Sequence, residues 1–188
     1  IILGVASLAS RAAGVLRDRV LAHNFGAGDT LDAYYAAFRI PDLVYNLLIV
    51  GALSAGFIPM FLSVWADNKE KAWRLTNNLL HVLGMGLIIV CAILFMASTR
   101  LTPLVVPGWH GDKLALTITL TRVMLLSPII LGLSSLAAGV LQSLKSFLVY
   151  SLAPIFYNVG IIIGAWLFVP ILGSVGLAWG VVLGALLH

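Results

Sequence analysis

The sequence contains very little charge. Only 10% of its 188 residues are Asp, Glu, Lys or Arg, whereas 61% are hydrophobic. A soluble globular domain is about a quarter charged and about half apolar. The shortage of charge therefore excludes a soluble domain and predicts an all-α, polytopic membrane protein, because helices satisfy their own backbone polar groups within lipid.

Cysteine and catalytic motifs are also scarce. Cys91 is the single cysteine and lies within an apolar run, so it can form no intrachain disulfide. The sequence shows no nucleophile paired with a base and no metal-ligand spacing, and GAGD at 26–29 lacks the context of a phosphate-binding loop. We therefore expect no enzyme activity, no metal, no cofactor and no nucleic-acid partner. The alternative of a membrane-embedded enzyme acting on a polyprenyl phosphate would need an acidic metal cluster.

Long hydrophobic runs dominate what is present. A membrane-spanning helix needs about 20 apolar residues, and on that basis the sequence predicts about six transmembrane segments. Pro41 should kink the second of them. The chain starts without Met and ends within an apolar run, which predicts a piece truncated at both ends. The segments are 1–24, 31–65, 75–99, 114–142, 148–170 and 174–188.

The connecting loops alternate in charge. Lys and Arg concentrate in 66–74, and Lys145 lies in 142–147, while the opposite loops carry fewer cations. Short loops rich in Lys and Arg stay on the cytoplasmic side. The pattern predicts that the N-terminus and the loop 66–74 are cytoplasmic.

Polar residues interrupt the first hydrophobic segment. At 100° per residue, Arg11 and Asp18 share one helix face, and Ser10 and Arg17 share the next. An ionised side chain that faces lipid costs roughly 3 kcal/mol or more. We therefore expect these residues to line a cavity between helices.

The second segment carries a narrower polar stripe. On a continuous helix, an arc of about 80° contains Asp32, Tyr35, Arg39, Asp42 and Asn46. Such a stripe should face a watery cavity or a partner helix. Two interpretations stay open, since the charges can line a binding cavity or can pair with one another and hold helices together.

Two polar residues outside this region also invite an interpretation. Arg122 lies a turn or two from the preceding loop, so its side chain is expected to reach the membrane interface. Asn158 can form a hydrogen bond between helices.

A cavity with surplus arginine favours an anionic ligand. The planar guanidinium matches phosphate oxygens in a bidentate manner. An exporter of drugs or cations, by contrast, would have a cavity dominated by carboxylates. Within the first two predicted segments, 1–24 and 31–65, there are four Arg and three Asp, so phosphate or pyrophosphate is the expected ligand.

These residues resemble a known family. The pattern comprises Ser-Arg, Arg-Asp six residues later, a Phe-Gly-Ala-Gly turn, Asp-Ala followed by two aromatics, and Gly-Ala-Leu-Ser shortly before Ile-Pro. It is similar to the N-terminal signature of the MurJ/MviN lipid II flippases of the multidrug/oligosaccharidyl-lipid/polysaccharide exporter superfamily. The resemblance covers essentially the whole chain, and its first sixty residues are the specific part.

The resemblance implies a fold and a function. Such flippases have fourteen transmembrane helices in two lobes around a cationic cavity. They move the undecaprenyl-pyrophosphate-linked peptidoglycan precursor, lipid II, across the bacterial cytoplasmic membrane by alternating access. Residues 1–188 would then form the N-terminal lobe, with the missing C-terminal lobe and membrane lipids as partners. Coupling to the membrane potential or to an ion gradient is expected.

The polar stripe and the resemblance together suggest roles for the polar residues, and the positions that match the family are Ser10, Arg11, Arg17, Asp18, Asp32 and Asp42. Arg11, Arg17, Arg39 and Ser10 are the expected substrate-binding residues. A second group is expected to pair with these cations or to gate closure, and it comprises Asp18, Asp32, Asp42 and Asn46. The family often has Asn at the position of Asp42 and basic residues near Tyr45. This departure leaves open an exporter of another lipid-linked oligosaccharide or polysaccharide.

Overall fold

The chain folds into a bundle of helices. The computed structural model describes residues 2–26, 28–47 and 56–188, and all regular structure in these ranges is helical. The Gly-Ala-Leu-Ser motif at 51–54 lies outside them. The helices are α1 (Ile2–Phe25), α2 (Asp29–Ala37), α3 (Arg39–Tyr45), α4 (Ile58–Asp67), α5 (Lys69–Val105), α6 (Gly111–Met124), α7 (Leu126–Ser143), α8 (Phe147–Leu172) and α9 (Gly176–Leu187).

Two prolines set the breaks between consecutive helices. Pro41 lacks the N–H that would bond the carbonyl of Ala37, and its ring clashes with that carbonyl. Accordingly, α2 ends at Ala37 and α3 begins at Arg39. Pro128 follows Met124, the last residue of α6, at the same spacing. The predicted kink at Pro41 is confirmed.

Among the residues that the structure describes, three helical stretches are long and apolar enough to cross a membrane, judged by length and composition alone. They are Lys69–Val105, Gly111–Ser143 and Ser151–Leu187. The last one reverses direction at Gly173, whose φ of 61° favours glycine, so it forms a hairpin of α8 and α9. This arrangement agrees with the fold class that the composition predicts.

Glycines let α8 and α9 pack with their backbones in contact. A Cβ at Gly164 would lie 2.4 Å from the Cα of Gly180, and a Cβ at Gly160 would lie 2.6 Å from the Cα of Gly184. No side chain fits at such separations. Small residues permit this close approach in membranes, where packing rather than water exclusion drives helix association.

The bundle has two cores. The first joins α1, α2, α6, α8 and α9 around Leu21, Tyr34 and Ile161. The second joins α3, α4, α5 and α7 around Phe61, Cys91 and Leu136. The break between α2 and α3 places each of these helices in a different core. The polar residues of α1 and α3 meet near that break, beside α8.

Candidate functional site

Arg17 is the most constrained of the polar residues on α1. Its Nε and Nη2 donate to Oδ1 of Asp18 at 3.0 and 2.9 Å, and its Nη1 donates to Oδ1 of Asn158 at 2.9 Å. Asn158 is only 7% exposed, and its amide nitrogen donates to the carbonyl of Pro154 at 2.8 Å. This chain of contacts fixes the guanidinium between α1 and α8.

A cavity of ≈ 360 Å³ opens beside this guanidinium. Its walls are formed by Arg17, Tyr34, Tyr35, Phe38, Asp42 and Tyr157. Tyr34 is only 1% exposed, and its hydroxyl has no hydrogen-bond partner among the described residues. A buried hydroxyl without a partner costs free energy. The oxygen of Tyr34 has almost no accessible surface, so the ring would have to shift before this hydroxyl could donate to a ligand. Arg17 and Tyr157 are donors that line the cavity directly.

Carboxylates outnumber cations around this cavity. Arg17 contributes one positive charge, while Asp18 and Asp42 contribute one negative charge each. Asp18 already binds the Nε edge of Arg17. The Nη1 that bonds Asn158 is the part of the guanidinium that faces no carboxylate among the described residues. The site is therefore selective in geometry rather than strongly positive.

Ser10 and Arg11 line a second cavity, of ≈ 470 Å³, further along the same helices. Its walls also include Gln142, Ser151 and Pro154. This cavity is lined by Arg11 of α1 and Pro154 of α8, and the first cavity is lined by the later residues Arg17 and Tyr157. The two helices therefore run parallel. The start of α1 is therefore at the same end of the bundle as 142–147, which agrees with the sidedness that the loop charges predict.

Asp32 lies away from both cavities. Lys113 at the start of α6 contacts Oδ2 of Asp32 at 2.6 Å and Oδ1 of Asp29 at 2.8 Å. Its ammonium also lies 4.2 Å from the ring centre of Trp109. We call these four residues the Lys113 clasp. It connects the start of α2 to the start of α6 at the end of the bundle opposite 142–147.

Arg39 and Asn46 make local structural contacts. Nη1 of Arg39 donates to the carbonyl of Val105, the last residue of α5, at 2.8 Å. A cation at this position also stabilises the negative end of the helix dipole. The amide of Asn46 donates to the carbonyl of Asp42, one turn earlier, at 2.8 Å. The structure thus gives both residues a stabilising contact that the sequence did not indicate.

The polar arc expected on the second segment is reproduced in part. The chain divides into α2 and α3 at Phe38, yet Tyr35 and Asp42 line the same cavity beside Arg17, as the arc predicts. Asp32 instead joins the Lys113 clasp. The structure brings Arg17, Asp18 and Asp42 together, and it places Ser10 and Arg11 in the cavity further along the same helices. Asn46 contacts only the backbone of Asp42, and Asp32 and Arg39 have partners elsewhere.

Several residues of the site were not found as such from the sequence. Tyr34 and Tyr157 look like ordinary apolar helix residues in the sequence, and Lys113 looks like a loop cation. Asn158 was recognised only as a contact between helices. Its partner Arg17 lies 141 residues away. The sequence offers one signal for this contact. A polar Asn side chain within a membrane helix costs free energy unless it has a hydrogen-bond partner.

Replacing Lys113 by Gln should slightly lower the thermal stability of the full-length protein. Its ammonium links α2 to α6, but Asp29 and Asp32 are largely exposed, and exposed ion pairs contribute little. The decrease should vanish in concentrated salt, which screens exposed pairs. Thermal unfolding curves at low and high salt measure both effects.

Lys71→Gln is the matched control for this substitution. Lys71 contacts Asp67 at 3.6 Å, and both side chains are exposed. This pair lies at the one-residue turn where α4 passes directly into α5, so it joins only helix ends that the chain already holds together. Its loss should leave the melting temperature unchanged at either salt concentration. Equal effects of the two substitutions would show that the clasp does not hold α2 and α6 together.

Comparison with known proteins gives consistent matches. The family model described as "Lipid II flippase MurJ" matches residues 21–188. A protein of Burkholderia cenocepacia named lipid II flippase MurJ is 33% identical over 187 residues, which is 97% of this chain and 36% of the relative. A probable lipid II flippase MurJ of Vibrio cholerae is 33% identical over 200 residues, which is 100% of this chain and 38% of the relative.

Solved structures agree on the fold. A structure described as "Lipid II flippase MurJ, inward closed conformation" matches with a TM-score of 0.82 at 22% identity, over 100% of this chain and 40% of that chain. A transporter of the MOP superfamily from Pyrococcus furiosus matches with a TM-score of 0.77 at 18% identity, over 98% of this chain and 41% of that one. It is described as having a binding pocket of reverse polarity that suggests a different function. The chain thus spans well under half the length of these proteins.

Proposed function

The chain belongs to the lipid II flippase MurJ family, and on that premise we propose that it forms the N-terminal lobe of a transporter that moves lipid II across the membrane. The substrate is the peptidoglycan precursor carried on undecaprenyl pyrophosphate. Its two phosphates need cationic and hydroxyl donors inside the membrane. The lobe offers these donors at one place.

The observation that carries the proposal is the orientation of Arg17. A guanidinium fixed by Asp18 and Asn158 needs no further ordering when an anion arrives, so less conformational entropy is lost on binding. Phosphate would contact the Nη1 edge and the hydroxyl of Tyr157, and a small shift of the Tyr34 ring would add a third donor. Ser10 and Arg11, in the adjacent cavity, would hold the second phosphate or the first sugar.

The remaining polar residues would act on the conformational change. Asp18 and Asp42 would compete with the substrate for cations and so favour its release. Arg39 at the start of α3 would hold the end of α5 through its hydrogen bond to Val105. Asp32 in the Lys113 clasp would hold α2 against α6 while the lobe moves. Asn46 would extend the polar lining beyond Asp42. Transport would then proceed by rocking of this lobe against the C-terminal lobe around a fixed site.

The proposed location is the bacterial cytoplasmic membrane. The start of α1 and the loop 66–74 would face the cytoplasm, since the Lys and Arg residues of the loops concentrate there. No cofactor is needed for this cycle. The membrane potential or an ion gradient would supply the free energy.

A second candidate substrate is another lipid-linked glycan. Once Asp18 and Asp42 are counted, the cavity of Arg17 has two carboxylates for one guanidinium, which suits a head group with fewer anionic groups. Both substrates share the polyprenyl pyrophosphate and differ in the glycan.

Transport by the full-length protein in vesicles tests the proposal. Fluorescent lipid II is placed in the bilayer, and a membrane-impermeant reagent modifies only the molecules in the outer leaflet. Vesicles with the protein should expose all of the lipid II, whereas empty vesicles should expose about half. Equal movement of a polyprenyl pyrophosphate carrying a different glycan would favour the second candidate. Movement of neither lipid would reject the function.

A further inference from the structure

An apolar groove runs along the outer face of α5, on a different surface from the two cavities of α1. It has a volume of ≈ 330 Å³ and lies between α5 and the bent pair α6–α7. Its floor and walls include Ile88, Ala92, Phe95, Leu126 and Ile129, and Arg122 also lines it. This combination of a long apolar trough with one cation matches a lipid better than it matches a soluble ligand.

Arg122 lies at the end of the groove nearest the membrane edge. At a rise of about 1.5 Å per residue, Ser98 lies about 36 Å along α5 from Arg74 at its basic end. Counted in the same way, Arg122 lies about 32 Å along α6–α7 from Ser143. Both distances match the thickness of the hydrocarbon core, about 30 Å. The contact between Arg122 and Ser98 is therefore at the level of lipid head groups, opposite the loop 66–74.

The guanidinium of Arg122 is held from one side only. Its Nε donates to Oγ of Ser98 at 2.7 Å, and that hydroxyl donates to the carbonyl of Phe95 at 2.8 Å. Its Cζ lies 5.2 Å from the ring centre of Phe95. The two terminal nitrogens have no acceptor, and no carboxylate lies within 4.0 Å, among the described residues. Such a fork can bind a phosphate in bidentate fashion.

The groove continues from this fork towards the middle of the bilayer. On α5 it extends from Met96 to Ile88, which is about 12 Å of helix, and on α7 it extends to Ile129. The residues below Arg122 are apolar on both sides. A phosphate on the terminal nitrogens of Arg122 would lie just outside the apolar trough, at its end, where an acyl chain of the same lipid can enter it.

We propose that this groove binds a membrane phospholipid with an anionic head group, in the leaflet opposite the loop 66–74. Its phosphate contacts the terminal nitrogens of Arg122, and one acyl chain lies between α5 and α7. A zwitterionic lipid binds less well, because its own ammonium competes for the phosphate. The lipid would hold α6–α7 against α5, beside the second core of the bundle.

Native mass spectrometry of the full-length protein tests this site. The protein is released from nanodiscs that contain equal amounts of phosphatidylglycerol and phosphatidylcholine, and the lipids that stay bound are counted. The wild type should retain phosphatidylglycerol about tenfold more than phosphatidylcholine, as expected for a charge-assisted contact. Arg122→Gln should abolish this preference, and Arg122→Lys should restore it in part.

Two further substitutions separate the groove from general surface charge. Arg100 is exposed near the same membrane level but does not line the groove, so Arg100→Gln should retain the full preference. Ala92→Phe fills the trough without changing charge and should reduce retention of both lipids. The proposal is overturned if Arg122→Gln keeps the preference, if Arg100→Gln loses it equally, or if Ala92→Phe retains both lipids. Comparing two lipids within each variant makes the ratio independent of the yield of folded protein.

Discussion

Replacing Arg17 by Ala should abolish transport by the full-length protein while leaving its insertion into the membrane intact. The side chain is the fixed cation of the cavity, and a desolvated, hydrogen-bonded charge contact contributes about 2–5 kcal/mol to binding. Losing it should slow the movement of lipid II by roughly 30-fold to several thousandfold. The measurement is the rate at which fluorescent lipid II becomes accessible at the outer surface of vesicles, normalised to the amount of inserted protein.

Two variants separate substrate binding from a purely structural role. Arg19 lies two residues away on the same helix and is exposed, so Arg19→Ala should transport at the wild-type rate. Asn158→Ala removes the contact that orients Arg17 but leaves the charge. It should reduce transport only a few-fold, because one hydrogen bond contributes about 1 kcal/mol.

The opposite interpretation predicts another pattern. If Arg17 only holds α1 against α8, then Arg17→Ala and Asn158→Ala should destabilise the protein to a similar extent, with the activity of each folded molecule preserved. Full activity of Arg17→Ala after normalisation would remove it from the substrate site. Thermal unfolding of the same samples supplies the stability comparison.

Much of the fold could be predicted from composition and local pattern. Long apolar runs predict membrane helices, since their residues need no distant partner to be recognised. Pro41 predicts a break because its effect on the carbonyl of Ala37 is local. The pairing of Arg17 with Asp18 could also be anticipated, as these residues are adjacent in the sequence.

The contacts that define the site depend on distant parts of the chain. Asp32 pairs with Lys113, which lies 81 residues later, and Arg17 pairs with Asn158, which lies 141 residues later. No local pattern selects such partners. The polar arc of the second segment is met only in part for the same reason. Tyr35 and Asp42 line one cavity, but Asp32 pairs with Lys113 and Arg39 donates to the carbonyl of Val105, and no helical wheel shows such partners.

The close packing of the glycines of α8 and α9 could be predicted in part from the sequence. Gly160 and Gly164 share the spacing of four with Gly176, Gly180 and Gly184, a spacing typical of closely packed membrane helices. The sequence does not say which helix each glycine faces. The structure shows which glycine of α9 faces each glycine of α8. Glycine-to-alanine substitutions, each of which adds one methyl group, can therefore be ranked by the clash that they create.

Gly164→Ala should destabilise the full-length protein by about 2–3 kcal/mol, as overpacking commonly does. The new Cβ would lie 2.4 Å from the Cα of Gly180, which is backbone and cannot move aside. Gly180→Ala should cost less, since its Cβ would lie 3.0 Å from the nitrogen of Ala165. Gly86→Ala is the control, because its Cβ meets nothing within 4 Å. Thermal unfolding in detergent should rank the three in that order.

The same series tests how the hairpin supports the site. Asn158 precedes Gly160 by two residues on α8, so separating α8 from α9 shifts the residue that orients Arg17. Gly164→Ala should therefore lose transport beyond what its lower yield explains, whereas Gly86→Ala should lose none. Equal stability of the three variants would mean that the two backbones do not touch. A stability loss with unchanged transport per folded molecule would mean that Arg17 is held in place without the hairpin.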